Sequence, residues 1–415
     1  MMSGLATADL ATFEVPSRPD NSAINNYYRA ARSGGGDLLA PSSLAGAEWP
    51  DQDPSTAPQN VRLVSPDDQQ VLRGAALNVP VSVKHFKEAH SCLNLPDMLY
   101  AFLMSEAFQF NPRQQIDNSG VWRDRVAKAV DEGAPLRVVW PVLSKIPNFA
   151  KQMTGASSAT SGEEATFIHL QHLVDLSRQI YRPGIKIILL IDAALYNPAI
   201  GNDEVAVRHY IQDLRRLRIE VGAFDLELID YAELLASECA REFHTALQQA
   251  NLGLPGDIEF FQQHGSWLES MRSIVNTLNY PLNYADMREL FSKQRNASNR
   301  WSALIERQSQ EGLKRMIAIK TATNEVNLPD KLWPGHLRVT CHWKRIIDGV
   351  AVPGLRAYPR YYASSRILPY HGVPLVRSGS HGPVLDIFPE VSLRGRLDLT
   401  RVIHANGDTY FYELK

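Results

Sequence analysis

Two lysines and an asparagine follow the first of three short apolar segments in the middle of the chain. That segment covers residues 135–143, and Lys145, Asn148 and Lys151 come directly after it. Lysines bind phosphate as point charges, and a lysine removed from water can act as a base or form an imine. Asn148 adds hydrogen-bond donors. The alternative is a solvated surface loop, and we favour a substrate site because this loop leaves a predicted strand.

Asp192 ends the second apolar segment. Residues 185–191 are nearly all aliphatic, as expected of a strand that is buried on both faces. The Asp192 carboxylate therefore emerges where the chain leaves the core, and it can orient an amine or take part in proton transfer. An aspartate that begins a loop can equally cap neighbouring backbone amides, and the sequence leaves both interpretations open. The lysines would give the substrate site a cationic side and Asp192 an anionic side. Together they predict a small, charged substrate.

An arginine and two histidines provide further candidates near the C-terminal end. Residues 337–345 alternate as in a strand, which places Arg338, Thr340 and His342 on one face. An arginine beside a histidine suits an anionic substrate group next to an acid or base. His371 follows Tyr370 in a turn-rich segment, a setting typical of site loops. The alternatives are a solvent-facing edge strand and a surface histidine.

The elements that must position these side chains have a parallel α/β pattern. Amphipathic segments at 166–181 and 203–219 predict helices between the three apolar segments, the third of which is 224–229. A polar loop is predicted at 197–202. Strands joined through helices pair in parallel, and ligands bind beyond the carboxyl ends of such strands. We therefore expect Lys145 and Asp192 to meet at one edge of the sheet.

The rest of the sequence adds a mobile arm, more helices and a group of short strands. Residues 1–60 are rich in small residues and proline and predict a mobile N-terminal arm. The predicted fold class is α/β, a Rossmann-like, mostly parallel sheet flanked by helices, with a helical section and a β-rich C-terminal part. We predict one domain over 61–415, divided into a βαβαβ core at 135–230, a helical section at 231–323, and C-terminal strands and loops at 337–415.

Composition and charge restrict the class of partner. The 43 Lys and Arg residues nearly balance 45 Asp and Glu residues, so the net charge of −2 provides no field that would attract nucleic acid or an anionic membrane. No apolar run approaches the roughly 20 residues that span a bilayer, and the start of the chain has no signal-peptide pattern. Three distant cysteines form no metal or disulfide pattern. These features predict a cytoplasmic protein that binds small molecules and has no metal site.

The ordered motifs resemble the isocyanide (isonitrile) synthase family, of the pyoverdine and dityrosine biosynthesis type. Each motif is weak alone, whereas the ordered set is more specific and covers roughly residues 90–375. The motifs are Lys145-Ile-Pro147-Asn148 with Lys151, Tyr181-Arg-Pro183-Gly184 before the aliphatic strand and Asp192, Asp203 at the next helix, Arg338 to His342, and Pro369-Tyr370-His371.

The resemblance implies an unusual reaction in specialised metabolism. The α-amine of an amino acid condenses with the ketone of ribulose 5-phosphate, and fragmentation leaves an isonitrile carbon on nitrogen. The family implies no metal or organic cofactor, and its usual partner is an iron- and 2-oxoglutarate-dependent oxygenase that acts on the product. The implied catalytic and substrate-binding residues are, respectively, Lys145, Asp192, His342 and His371, and Lys151, Asn148, Arg338 and Tyr370.

Several positions differ from the family pattern. Ala193 replaces the usual glycine after the aspartate, Asn197 is the nearest match to a second aspartate, and Trp343 replaces the usual proline after the strand histidine. The amino-acid substrate therefore stays open. Two alternatives also stay open: another amine–carbonyl condensation or carbon–nitrogen rearrangement, and a non-catalytic protein that binds small molecules on the same fold. Aromatic residues such as Tyr196 can line a substrate pocket, but at such positions they are more often core.

Overall fold

The computed structural model describes thirteen segments of the chain, and the structural statements below concern these alone. They are residues 60–79, 82–109, 119–142, 158–201, 204–279, 298–340, 345–347, 350–352, 354–356, 372–379, 382–388, 390–393 and 396–414. The predicted N-terminal arm, 1–60, lies outside them except for Asn60.

The strands of the described segments fall into three sheets. They are β1 (Asn60–Leu63), β2 (Leu136–Val142), β3 (Ile185–Ile191), β4 (Leu226–Asp230), β5 (Leu337–Arg338), β6 (Arg345–Ile347), β7 (Val350–Val352), β8 (Val373–Gly379), β9 (Gly382–Phe388), β10 (Leu399–Ile403) and β11 (Thr409–Leu414).

The helices of the described segments lie mostly between β1 and β5. They are α1 (Pro66–Leu77), α2 (Val83–Ala89), α3 (Leu95–Leu103), α4 (Ser119–Asp131), α5 (Ser161–Ile180), α6 (Ala193–Ile200), α7 (Glu204–Glu220), α8 (Tyr231–Glu238), α9 (Ala240–Leu252), α10 (Asp257–Gln263), α11 (Gly265–Asn279), α12 (Ser298–Val326), α13 (Leu328–Leu332) and α14 (Glu390–Leu393).

The parallel sheet predicted from the three apolar segments is present. Its strand order is β4-β3-β2-β5, and every neighbouring pair is parallel. Strand β3 is the best-defined member, since six of its seven residues are buried, as expected of a strand with helices on both faces. Helices α5 and α7 are the predicted connections between strands. The predicted fold class is confirmed.

Two apolar layers cover the two faces of this sheet. Ile187 and Ile188, two consecutive residues of β3, belong to different layers, because successive side chains of a strand point to opposite faces. The layer of Ile187 extends through α5 to Val402 and Phe411 of the second sheet. We call the other the α12-side layer. It contains Val139, Ile188, Leu190, Leu195, Ala199, Tyr231, Leu235, Cys239, Ala246, Ile319, Ala322, Val326 and Leu328.

The C-terminal strands form a five-stranded sheet in the order β1-β10-β11-β8-β9. Strand β1 pairs in parallel with β10, with Asn60 opposite Thr400, so the sheet joins the two ends of the described chain. The helical section after β4 is also present, and it divides into α8 to α12. None of the described helices is both long and apolar enough to cross a membrane.

Two predicted elements differ from the structure. The predicted polar loop at 197–202 is wrong in its first part, because the chain enters α6 directly after β3 and stays helical to Ile200. The predicted strand at 337–345 is not continuous in its first part. Strand β5 pairs with β2 at only two positions, and Thr340 then makes an isolated bridge to Gly354. Residues 341–344 lie outside the described segments.

Candidate active site

Asp192 lies at the carboxyl edge of the parallel sheet. Its backbone N–H donates to the carbonyl oxygen of Val142 at 3.2 Å, so it is level with the end of β2. The residue is half-buried and immediately precedes α6, yet its side chain makes no capping hydrogen bond to that helix. Asp192 thus occupies the N-cap position of α6 without a capping hydrogen bond from its carboxylate.

Arg338 belongs to β5, the edge strand that lies beside β2. It pairs with Val139 of β2, and paired residues of parallel strands point to the same face. Val139 faces the α12-side layer, so the half-buried Arg338 does as well. Its Nη2 donates to Asn324 Oδ1 of α12 over a long 3.4 Å, and no carboxylate of the described segments pairs with it.

Two tyrosines lie within the electrostatic reach of both charged residues. Burial raises the pKa of Tyr196, the Asp192 carboxylate raises it further, and the positive charge of Arg338 opposes both effects. Burial likewise raises the pKa of Tyr231 to about 12, again with Arg338 lowering it and Asp192 raising it. Asp192 and Arg338 therefore act on one shared set of hydroxyl groups.

The two tyrosines are positioned by different elements. Tyr196 is one helical turn after Asp192 on α6, and its hydroxyl group has a side-chain hydrogen bond with Thr323 of α12. Tyr231 opens α8 directly after β4. The sequence favours a core position for Tyr196, although it can also line a pocket, and it does not predict Tyr231 as part of the site. The available signal was that Tyr231 follows a predicted strand of the parallel sheet, the position where ligand-binding residues concentrate.

Asp230, at the end of β4, has a structural role as a helix cap. Its Oδ1 accepts hydrogen bonds from the backbone N–H groups of Ala232 at 2.9 Å and Glu233 at 3.3 Å. It is therefore the N-cap of α8, and burial raises its pKa. Its function is to hold the start of α8, and with it Tyr231, against the end of β4.

The predicted lysine loop follows β2 and precedes α5 in the sequence, and it lies outside the described segments. The backbone N–H of Thr160 donates to Glu163 Oε2 at 2.8 Å, and the Tyr210 hydroxyl donates to Glu163 Oε1 at 3.0 Å. The wholly buried Glu163 thereby joins the start of α5 to α7. Asp192 raises the pKa of Tyr210, after the larger effects of burial and Glu163. The hydrogen-bonded pair of Tyr210 and Glu163 therefore lies within electrostatic range of the Asp192 carboxylate.

Six of the eight predicted site residues lie outside the described segments. Of the predicted set, the structure places only Asp192 and Arg338, and it brings both into range of the same tyrosines. The others stay predictions, and they are Lys145, Asn148, Lys151, His342, Tyr370 and His371.

Comparison with known families identifies the central part of the chain. The family model described as "Pyoverdine/dityrosine biosynthesis protein" matches residues 126–325. The predicted family resemblance is confirmed. Asp192, Tyr196, Tyr231 and Asn324 lie inside the part that matches this pyoverdine/dityrosine model, whereas Arg338 lies beyond it.

Curated relatives and a solved structure agree with this match. The "L-tyrosine isonitrile synthase" of Pseudomonas aeruginosa is 26% identical over 130 residues, which is 31% of this chain and 39% of that protein. The "Isocyanide synthase xanB" of Aspergillus fumigatus is 28% identical over 111 residues, 26% of this chain and 14% of that protein. The match thus spans well under half of either relative.

The fold agrees with that of a solved structure. The crystal structure of the PvcA protein from Pseudomonas aeruginosa superposes with a TM-score of 0.54 and 18% sequence identity. The superposition covers 78% of this chain and 100% of that one. At this level of identity the likeness concerns the arrangement of strands and helices.

Proposed function

We propose that this chain is an isonitrile synthase that joins the α-amine of an amino acid to ribulose 5-phosphate in specialised metabolism. The observation that carries the proposal is that Asp192, at the carboxyl edge of the sheet, and Arg338 both act on the pKa values of Tyr196 and Tyr231. That arrangement offers an anion for a substrate amine and a cation for a carboxylate or phosphate. Both curated relatives are named as isonitrile or isocyanide synthases, which favours this chemistry over other uses of the same charges.

In this proposal Asp192 orients the amine and accepts a proton from it. The amine attacks the sugar ketone and the ketone oxygen leaves as water, giving an imine. Both carbon–carbon bonds of the former ketone carbon then break. The rest of the sugar leaves as formaldehyde, a three-carbon carbonyl compound and inorganic phosphate, so that one carbon stays on the nitrogen as the isonitrile. Arg338 holds an anionic group of the substrates. Lys145 and Lys151 hold the phosphate, His342 and His371 move protons, and Asn148 and Tyr370 contact the substrates.

The decisive experiment combines the purified full chain with ribulose 5-phosphate and each proteinogenic amino acid in turn. Mass spectrometry should detect a product with one more carbon and two fewer hydrogens than one of the amino acids. Carbon-13 at the ketone carbon of the sugar should appear in that product, because this is the carbon that the amine attacks. Asp192→Asn is the control. No isonitrile from any amino acid would refute the proposal.

A second reaction on the same site is favoured by one specific observation. The residue nearest to the family's second acidic position is Asn197, which lies within α6 and is an uncharged amide. With one acidic side chain fewer at the site, the imine can react by another condensation or by a carbon–nitrogen rearrangement. A product of different mass that requires both substrates and Asp192 would support this alternative. Binding of both substrates without any product would instead indicate a non-catalytic binding protein.

The product class also implies a partner reaction. An isonitrile that keeps its amino-acid carboxylate is a substrate for oxidative decarboxylation, and an iron- and 2-oxoglutarate-dependent oxygenase performs such steps. We propose that this chain supplies such an enzyme in the cytoplasm. Adding a purified oxygenase of that class should consume the isonitrile only when iron and 2-oxoglutarate are present.

A further inference from the structure

The backbone around Arg338 is fixed by hydrogen bonds on both sides of the residue. The Val339 N–H donates to the Val139 carbonyl oxygen at 3.0 Å. Two residues before Arg338, the His336 carbonyl oxygen accepts a hydrogen bond from the Arg125 side chain of α4. An arginine side chain keeps many rotamers even on a fixed backbone, and a binding site gains affinity when one rotamer is selected in advance.

Asn324 is the residue that restrains this side chain. Its Oδ1 accepts a hydrogen bond from Arg338 Nη2 at 3.4 Å, across the space between α12 and β5. Both residues are half-buried, and no carboxylate of the described segments forms an ion pair with the arginine. The contact is long and uses a single N–H group, so the other donors of the guanidinium stay available.

The amide of Asn324 holds the guanidinium without neutralising it. A carboxylate at this position would pair with the arginine in bidentate geometry, and its charge would oppose binding of any anionic ligand. An amide oxygen is a neutral acceptor, so it restricts the side chain and leaves the positive charge in place. Asparagine therefore suits an arginine that receives an anion, whereas a carboxylate would suit one that only joins two elements.

Thr323, one residue earlier on α12, makes an equivalent contact with α6. Its hydroxyl group donates to the Lys320 carbonyl oxygen at 2.9 Å and shares a side-chain hydrogen bond with Tyr196. Tyr196 in turn donates its backbone N–H to the Asp192 carbonyl oxygen at 3.0 Å. Two consecutive residues of α12 therefore contact the side chain of Arg338 and the helix that follows Asp192.

We propose that Asn324 is a positioning residue, which keeps the guanidinium of Arg338 in place for an anionic group of the substrate. The inference rests on the proposed function for the role of Arg338 as the residue that holds this anion. Asn324 contacts the arginine and takes no part in the chemistry. Its substitution therefore changes the affinity for the anionic substrate, whereas substitution of Asp192 changes turnover.

The test measures binding by isothermal titration calorimetry of the full chain, with ribulose 5-phosphate and each proteinogenic amino acid as separate ligands. Arg338→Gln identifies the anionic ligand as the one whose affinity falls at least about tenfold, as expected for a lost hydrogen bond between charged groups. Asn324→Leu should weaken binding of that ligand about threefold to tenfold, because the guanidinium is no longer restrained. Asn324→Asp should weaken it at least about tenfold, because the new carboxylate competes with the ligand for the guanidinium.

A thermal melt of Asn324→Asp separates positioning from a purely structural role. The new ion pair with Arg338 offsets the unfavourable negative charge near the C-terminal end of α12, so the melting temperature should not fall while the affinity does. A contact that only joined α12 to β5 would be strengthened by the aspartate, and the affinity would be unchanged. Asn251→Asp is the matched control, because it adds the same charge to an exposed asparagine near the C-terminal end of α9. It should leave ligand affinity unchanged.

The outcomes separate this inference from the proposed function. Weaker binding of the anionic ligand to Asn324→Asp supports the inference, even if the wild type makes no isonitrile. Asn324→Leu becomes the decisive variant if the aspartate variant does not fold. Wild-type affinity in the decisive variant would overturn the inference, even if isonitrile is made and Arg338→Gln binds the ligand weakly. Wild-type affinity in Arg338→Gln, or no binding of any ligand to the folded wild type at millimolar concentration, would overturn it as well.

Discussion

Asp192 is held in place through hydrogen bonds of its backbone. The N–H bonds to Val142, the carbonyl oxygen accepts the Tyr196 N–H at 3.0 Å, and the side chain does not cap α6. The side-chain charge can therefore be removed while these backbone bonds remain.

We predict that Asp192→Asn lowers isonitrile formation at least about a hundredfold without unfolding the protein. The amide keeps the shape of the side chain but loses the charge that orients the amine and accepts its proton. Steady-state kinetics and a thermal melt check both parts. Asp175→Asn, an exposed change on α5, is the control. Equal turnover in Asp192→Asn and the wild type would exclude the assigned role.

Glu164 predicts a pH dependence of stability. Burial raises its pKa to about 7, against 4.5 for an ordinary glutamate, although it accepts a hydrogen bond from the Tyr410 hydroxyl at 3.1 Å. The folded state therefore binds this proton more tightly than the unfolded state. The stabilisation is fully present below about pH 4.5 and is lost as the pH rises through 7, a difference of a few kcal/mol.

Urea unfolding between pH 5 and pH 7.5 measures this effect. The wild type should lose stability as the pH rises, relative to Glu164→Gln, which keeps a neutral hydrogen-bonding side chain at all pH values. Glu88→Gln, on α2, is a control for removing one carboxylate elsewhere. Parallel pH profiles of the wild type and Glu164→Gln would contradict the prediction.

At the scale of elements, the position of α6 depends on one glycine of α12. A Cβ added at Gly312 would lie 2.6 Å from the Ala199 carbonyl oxygen and 2.5 Å from Met271 Cε. The backbone of α6 therefore approaches α12 at a distance that only glycine permits, and this contact helps to place Tyr196 beside Thr323.

Gly312→Ala should destabilise the protein by about 1–3 kcal/mol, as overpacked sites do. It should also reduce turnover more than its stability loss explains, because α6 carries Tyr196 and follows Asp192. Gly120→Ala is the matched control, since nothing lies within 4 Å of a Cβ there and alanine favours the helix by about 0.5–1 kcal/mol. Chemical denaturation compares the two variants. Similar effects of both would show that the approach of α6 to α12 is not constrained.

Helices and strands were predicted correctly where neighbouring residues in the sequence carry the pattern that specifies them. The aliphatic run of β3 and the capping box of α5 at Thr160 are both readable from neighbouring residues. Helix α6 was missed because Asn197 and Pro198 are typical of turns. It forms despite Pro198 because it packs against α12 and ends at Gly201, which has the left-handed conformation common at helix ends.

At the scale of the whole molecule, the two larger sheets share one apolar core. Val138 and Ile187 of the parallel sheet belong to the same buried cluster as Val402 and Phe411 of the C-terminal sheet. This continuity was not visible in the sequence, because period-two alternation shows that a strand has a buried face but not what covers it. The same limit hid the relation between Tyr231 and Arg338, which lies more than a hundred residues later and lowers the pKa of Tyr231.

The shared core predicts that the domain proposed for 61–415 unfolds as one unit. Phe411→Ala, a truncation at a fully buried position of β11, should cost about 3–5 kcal/mol and lower the single melting transition of the whole chain. Leu397→Ala, at a 63% exposed position, should leave that transition unchanged. Differential scanning calorimetry distinguishes the cases. A second transition that shifts alone would show that the C-terminal sheet is a separate unit.

The pairing of Asn60 with Thr400 affects how the protein is made in the cell. Ribosomes add about 5–20 residues each second, so β1 leaves the exit tunnel tens of seconds before β10 exists to receive it. Throughout that interval Val61 and Leu63 belong to a strand with no neighbour. Synthesis of this chain should therefore depend on chaperones that shelter unpaired strands, more than does synthesis of a protein whose sheets close between adjacent segments.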